Sequence, residues 1–337
     1  MAKIDLLALQ EDNFMGGMEG KKIIVYGVND TGKTKQLTKL EKPLLLMTES
    51  GGSAVKCMKL PIPTWAKFKE ITDSLTKEAT LDQMREKFQT IIIDTAENLV
   101  SLSERAICNE FGVRDLSEIQ GKSNGYKLAR NDFELQINKL TGLGYTVVFV
   151  AHEEVIELED EVTGEKYNFV QPKGTSNEKG SMRMLRDLCD FCIYLKPNGI
   201  DPTTYETIPS TAICRRTKTV FARSRFAIQT FINPFTAQGL VEAIDLAVQK
   251  SAEEEGAEIE AFKVDTSNYT AEDYKAIIKP YMERLYPICP QEVMGVIVAQ
   301  LGEGKKVSEA TEDDTVKLEV VYNNLVTLAI VKGVVVH

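Results

Sequence analysis

Residues 22–34 read Lys22-Ile23-Ile24-Val25-Tyr26-Gly27-Val28-Asn29-Asp30-Thr31-Gly32-Lys33-Thr34. A short apolar run leads into a GxxxxGK[S/T] loop, and Lys33 to Leu40 has the character of a helix leaving it. Strand, glycine-bounded loop and helix in that order form the setting in which backbone N–H groups turn inward around phosphate oxygens. Gly27, Val28, Asn29, Asp30, Thr31, Gly32, Lys33 and Thr34 are therefore expected to line a nucleotide. Lys33 would bridge the β and γ phosphates, and the Thr34 hydroxyl would hold Mg²⁺. Asp30 is the unusual member, an acid inside a loop built for an anion.

Working outward, four more apolar runs stand at Leu44–Met47, Ile91–Ile93, Val147–Val150 and Phe191–Leu195. Short runs without polar alternation are what strands covered on both faces look like. Between them, Thr64–Lys77, Ala96–Glu110 and Tyr126–Leu140 have helical character, so the order predicts an α/β fold with a mainly parallel sheet flanked by helices. Glu153–Val170 predicts a protruding hairpin turning at Thr163-Gly164, and the polar stretch Gln171–Gly180 a mobile loop. Thr211–Phe226 predicts further strands, and Leu240–Lys250 a closing helix. No internal repeat stands out. The acidic segment 251–263, with Glu253-Glu254-Glu255, is expected to link a core of residues 1–250, including an N-terminal extension, to a helical appendage at 264–337. In that appendage Thr270 followed by Asp273 offers an N-cap, Pro287 and Pro290 punctuate, and Val316–Val331 is apolar-periodic.

A phosphate loop of this kind works with an acid at the end of a neighbouring strand, which orients the metal. Asp94, closing Gln89–Asp94, fits, and it stands equally well as a cap for the helix beginning at Ala96. Hydrolysis also needs a group to orient or deprotonate water. Glu49, at the end of Leu44–Met47 and before Ser50-Gly51-Gly52, is the first candidate, with Glu97 a competitor. His152 closes the strand Val147–Ala151 at the edge where a nucleotide must lie, which suits a sensor of the γ-phosphate that reports to the hairpin following it. Trp65 is expected to anchor a helix against the sheet rather than stack on a base.

The 337 residues are 43% hydrophobic and 27% charged, the composition of a globular chain, and neither a signal-peptide pattern nor an apolar run long enough to span a bilayer is present. A cytoplasmic location is expected. The net charge of −10 argues against a protein that coats nucleic acid generally but allows a local basic groove. Six cysteines are too few for a disulfide framework, and the Cys189/Cys192 pair in its apolar setting reads as buried strand rather than half a zinc site.

The order of parts resembles the RecA-like ATPases, and more closely the phage RecA-like nucleotide-binding proteins that include Sak-type single-strand annealing proteins. The resemblance rests on Ile24–Thr34, Met47–Gly52, Thr64-Trp65, Thr90–Thr95, Gly125-Tyr126-Lys127, Val147–Glu153 and Arg223-Ser224-Arg225, within roughly residues 20 to 250. It implies an ATPase that uses ATP and Mg²⁺, with Lys33, Glu49 and His152 acting together. Arg223 and Arg225 hold the positions of basic residues that reach the γ-phosphate of the next subunit in a homo-oligomer. It also implies a protein that binds single-stranded DNA through Lys173, Lys179, Arg183 and Arg186 and promotes its annealing in phage recombination or replication, alongside a single-strand-binding protein. Two other readings remain open: an ATP-controlled assembly switch that never touches DNA, and a hexameric motor or loader, against which Thr95 stands where such motors carry glutamate.

Overall fold

The computed structural model describes residues 13–49, 55–77, 80–119, 124–262, 271–311, 314–332 and 334. The N-terminal extension up to residue 12, Ser50-Gly51-Gly52 and the Thr270 cap lie outside the described residues. Two compact units emerge: an α/β unit within 12–118 and 125–264, and a helical unit carrying the chain from 265 onward.

In chain order the α/β unit contains β1 (Phe14–Met15), β2 (Lys22–Tyr26), α1 (Lys33–Leu37), β3 (Pro43–Met47), β4 (Met58–Pro61), α2 (Trp65–Leu75), α3 (Leu81–Lys87), β5 (Thr90–Asp94), α4 (Ala96–Phe111), α5 (Gly125–Gly142), β6 (Thr146–Ala151), β7 (Glu153–Glu159), β8 (Lys166–Pro172), α6 (Ser181–Leu188), β9 (Phe191–Lys196), β10 (Thr211–Ile213), β11 (Arg223–Ser224), β12 (Phe231–Ile232), α7 (Ala237–Glu255) and β13 (Ile259–Glu260). The main sheet runs β4-β3-β5-β6-β2-β9-β10-β12, with β11 also on β9. From β4 to β9 every pairing is parallel, and β10, β11 and β12 run antiparallel to their neighbours. All five expected apolar runs are strands of this sheet.

Alternate residues of β2, β3, β5, β6 and β9 enter two separate cores, which explains why these five strands show no polar alternation. Ile24, Tyr26, Ile91, Ile93, Val147 and Phe149 pack with α2, α4, α5 and α6, while Ile23, Val25, Ile92, Val148 and Val150 pack with α1 and α7. Trp65 is an anchor: it is 2% exposed, stacks on Phe68 and Phe133, and its Nε1 donates to Asp132 Oδ2 at 2.7 Å. Cys189, which ends α6 rather than lying in a strand, and Cys192 of β9 are both buried, and burial pushes both thiols up, as suits core residues rather than metal ligands.

Two expectations are corrected here. Gln171 and Pro172 belong to β8, and the polar stretch after them is pinned rather than loose. The Glu154 carboxylate accepts from Gln171 Nε2, from the Gly174 and Ser176 backbone N–H groups and from Ser176 Oγ at 2.8 to 3.3 Å. Glu253-Glu254-Glu255 form the last turn of α7 rather than a linker, and the chain then adds β13 alongside β1.

In the helical unit, α8 (Ala271–Leu285), α9 (Pro290–Leu301) and α10 (Thr315–Val331) share a core of Ile278, Leu285, Val293, Ile297, Leu318, Val321 and Leu325. Pro290 opens α9, where its missing N–H costs nothing. Among the described residues no helix is long and apolar enough to cross a membrane.

Candidate functional site

The chain leaves β2 toward β3, β5 and β6 on one side and returns to β9 on the other, so the strand order reverses at β2. Beyond the carboxyl ends of the strands at such a reversal a crevice opens, the usual ligand position of an open α/β sheet. The strand ends are level: Tyr26 is opposite Ala151 and Tyr194, and Asp94 is opposite Met47 and Val150. The residues that follow them, Gly27, Thr48, Thr95 and His152, therefore converge on one edge.

Gly27 starts the loop at φ 153°, where a Cβ would lie 2.7 Å from the Leu195 carbonyl oxygen, so no other residue fits. Thr31 Oγ1 donates to the Val28 carbonyl at 3.0 Å, and buried Ser210 holds the Thr31 carbonyl from the loop before β10, also at 3.0 Å. Among the described residues the backbone N–H groups of Gly32, Lys33 and Thr34 have no acceptor. A row of unspent donors in a glycine-bounded loop fits phosphate.

Lys33 is buried, with Nζ donating to the carbonyls of Gly27 (2.8 Å) and Val28 (2.6 Å). Burial lowers its pKa, against the pull of Asp94, Glu97, Glu153 and Asp30. Asp30, the acid inside the loop, is exposed, at φ 62°.

The Thr34 hydroxyl donates to Asp94 Oδ2 at 2.8 Å. Burial raises the Asp94 carboxyl, the Thr34 bond opposes that, and the nearby charge of Glu49 adds to it. A hydroxyl and a carboxylate in contact beside a phosphate loop form the oxygen donor set for a divalent cation. The cap position of α4 is taken by Thr95, not Asp94. Glu49 Oε1 accepts from Asn98 Nδ2 at 2.6 Å and Thr95 Oγ1 at 3.2 Å, while Thr48 exchanges hydrogen bonds with the Thr95 backbone. Glu97 is occupied elsewhere. Its Oε1 meets His152 Nδ1 at 2.5 Å, and His152 Nε2 meets Asn29 Oδ1 of the phosphate loop at 2.9 Å.

Lys33, Thr34, Glu49, Asp94 and His152 are thus brought together, and Asn98, Thr48 and Ser210 join them. Those three carried no motif, since each acts through its fold position. Arg223 and Arg225 are not brought there. Because β11 runs antiparallel to β9, Arg223 stands opposite Cys192 and Arg225 passes Asp190, at the far edge of the sheet from Lys33. Their guanidinium groups donate to the carbonyls of Asp187 and Leu188. Of the basic residues near 173–186, Lys173 and Lys179 are exposed and Arg183 is partly covered. Arg186 is a correction: it is 5% exposed, stacked over Phe221 and paired with Asp187, so it presents no charge to a polymer.

Residues 19–226 match the AAA domain family. The chain is 32% identical over 334 residues to the SPbeta prophage-derived uncharacterized protein YorG of Bacillus subtilis (strain 168), a match that covers 96% of this chain and 98% of that protein. The matched segment includes the loop at Gly27–Thr34, the Thr34–Asp94 contact and His152, and on that basis the chain belongs to the AAA domain family of P-loop NTPases.

Proposed function

We propose that the protein binds and hydrolyses ATP with Mg²⁺ and couples that cycle to single-stranded DNA in phage recombination or replication. The observation that carries the catalytic half is the Thr34–Asp94 hydrogen bond beside Lys33 at the carboxyl edge of β2. Mg²⁺, when bound, would offset charge on the phosphates, with Thr34 and Asp94 as its holders. Lys33 would leave the Gly27 and Val28 carbonyls for phosphate oxygens, Glu49 would orient the attacking water, and His152 would sense the terminal phosphate.

The DNA half is supported by the order Gly27–Thr34, Glu49, Asp94, His152, which resembles the Sak-type annealing proteins, by a prophage-derived relative, and by exposed Lys173 and Lys179 beside the hairpin. Arg223 and Arg225 would serve a homo-oligomer only where a neighbour's nucleotide edge meets this chain's opposite edge. A second reading, a nucleotide-controlled assembly switch, is favoured by the hairpin itself. Glu153, Glu154, Glu157 and Glu159 in β7 and Asp160, Glu161 and Glu165 in the turn after it crowd one side of the hairpin, a poor surface for a polyanion.

ATP turnover measured with and without single-stranded DNA separates these readings, with Lys33→Ala as the inactive control. Stimulation that fades with added salt is expected. Turnover indifferent to DNA, together with no complex at low salt, would leave only the switch, and an active Lys33→Ala variant would remove the P-loop chemistry altogether.

A further inference from the structure

One feature of the site has no part in holding a nucleotide. Glu97 lies in the first turn of α4, and its side chain is 11% exposed. One carboxylate oxygen takes His152 Nδ1 and lies 3.4 Å from the His152 backbone N–H; the other is buried with no hydrogen-bond partner. A buried carboxylate oxygen left unmatched is costly to the fold, so packing alone does not account for it. Across the imidazole, Nε2 lies 2.9 Å from Asn29 Oδ1 in the phosphate loop, an acceptor just as a phosphate oxygen is, so Nε2–H is the donor in this contact. Glu97, His152 and Asn29 therefore form one hydrogen-bonded line from α4, across the end of β6, into Gly27–Thr34. His152 is followed directly by β7, so this line is also where the hairpin is attached.

We infer that Glu97 is a positioning residue that fixes the His152 ring through Nδ1, and that Asn29 is the resting partner of Nε2, exchanged for a terminal phosphate oxygen when a nucleoside triphosphate binds. The inference rests on the sensor role proposed for His152 and adds the two residues that make the sensor a two-position device. With Nδ1 held, the ring keeps its plane while Nε2 changes partner. A diphosphate lacks the competing oxygen and leaves Asn29 in place. Asn29 thereby competes with the γ-phosphate, and the chain discriminates tri- from diphosphate partly through a side chain of its own loop.

The chain has two histidines, His152 and His337, so in a His337→Ala background the imidazole ¹⁵N spectrum reports His152 alone. In nucleotide-free protein, Glu97→Gln is expected to move the Nδ1 resonance and Asn29→Ala the Nε2 resonance. With Mg²⁺, the non-hydrolysable analogue AMP-PNP should move Nε2 and leave Nδ1, and ADP should move neither. Asn29→Ala should tighten AMP-PNP relative to ADP by a factor of about 2 to 12, the equivalent of one ordinary hydrogen bond. Asn29 is exposed, so its variant folds even where Glu97→Gln does not. Resonances unchanged in either nucleotide-free variant would overturn the resting line, and so would an Asn29→Ala protein with unchanged preference. AMP-PNP that binds without moving Nε2 would overturn the exchange. AMP-PNP that does not bind at all would overturn the proposed function and the exchange with it, while the nucleotide-free spectra still decide the resting line.

Discussion

Asp94 shows at the scale of one residue what the nucleotide site costs the fold. Burial raises its carboxyl above the ordinary aspartate range, and the Thr34 hydroxyl recovers only part of that. An aspartate whose folded pKa exceeds its unfolded one keeps its proton longer in the native state. Native protein then binds more protons than unfolded, and stability falls as pH rises from the ordinary aspartate value through the raised one. Above that point the penalty is fully present. Asp94→Asn keeps an oxygen for Thr34 and removes the charge, so the nucleotide-free variant should melt higher than wild type near neutral pH. The gap should close as pH drops toward about 4, where an unfolded aspartate also takes up its proton. Paired thermal melts check this, and a wild type at least as stable at neutral pH would show that Asp94 is well solvated. Lys33 carries the same kind of cost with the opposite charge, its pKa lowered by burial. Sequence revealed both residues because a phosphate loop and an acid closing a strand have fixed chemistry. It did not reveal Asn98 or Ser210, which are common polar residues made important only by where α4 and the loop before β10 place them.

At the scale of elements, apolar runs disclosed the strands that lie between two helical layers, and β10 and β11 fall within Thr211–Phe226, where further strands are expected, while β4 and β12 were hidden for identifiable reasons. All four residues of β4 are exposed, so it has no apolar run, and β12 is too short to carry a period. The placement of Arg223 and Arg225 depends on the direction of β11, which residue order does not encode. A likeness between two turns was also hidden. Asp160-Glu161-Val162-Thr163-Gly164-Glu165 and Asp201-Pro202-Thr203-Thr204-Tyr205-Glu206 make the same bonds. In each the aspartate Oδ1 accepts the backbone N–H groups of the third and fourth residues, its own N–H and carbonyl join the glutamate carbonyl and the fifth residue's N–H, and the threonine hydroxyl accepts from the glutamate N–H. The fifth position is left-handed in both, at φ 69° for Gly164 and 56° for Tyr205. Glycine suits that conformation, whereas a side chain there costs about 1–2 kcal/mol. Tyr205 is 83% exposed and gains little from packing. Tyr205→Gly should therefore stabilise the α/β unit and Gly164→Ala destabilise it, each by about 0.5–1 kcal/mol once the entropy of the unfolded chain is counted. Urea titration followed by the emission of Trp65, the only tryptophan, reads both. Equal signs for the two changes would mean that the turns are not equivalent.

At the scale of the whole molecule, the sheet and the C-terminal helices each bury a core of their own. Both clusters around the sheet draw only on residues of the α/β unit, and the cluster of α8, α9 and α10 only on residues from Ala271 onward. Hydrophobic stabilisation follows the area each core removes from water, so each unit carries its own melting equilibrium to the extent that its core is self-contained. Leu325 is wholly buried among the three helices, and Leu325→Ala should cost that unit about 2–5 kcal/mol. Trp65 sits in the α/β core and reports only there. In the full-length variant a part of the far-ultraviolet helix signal should be lost at lower temperature while the Trp65 transition stays where it is in wild type. Mg²⁺ and nucleotide at about 100 times the dissociation constant should still raise the Trp65 transition, by the equivalent of about 2.7 kcal/mol, because the ligand binds the folded α/β unit. A Trp65 transition that falls together with the helix signal would show the two cores unfolding as one cooperative body, and the buried cost at Lys33 and Asp94 would then be borne by the entire chain rather than by the sheet that holds them.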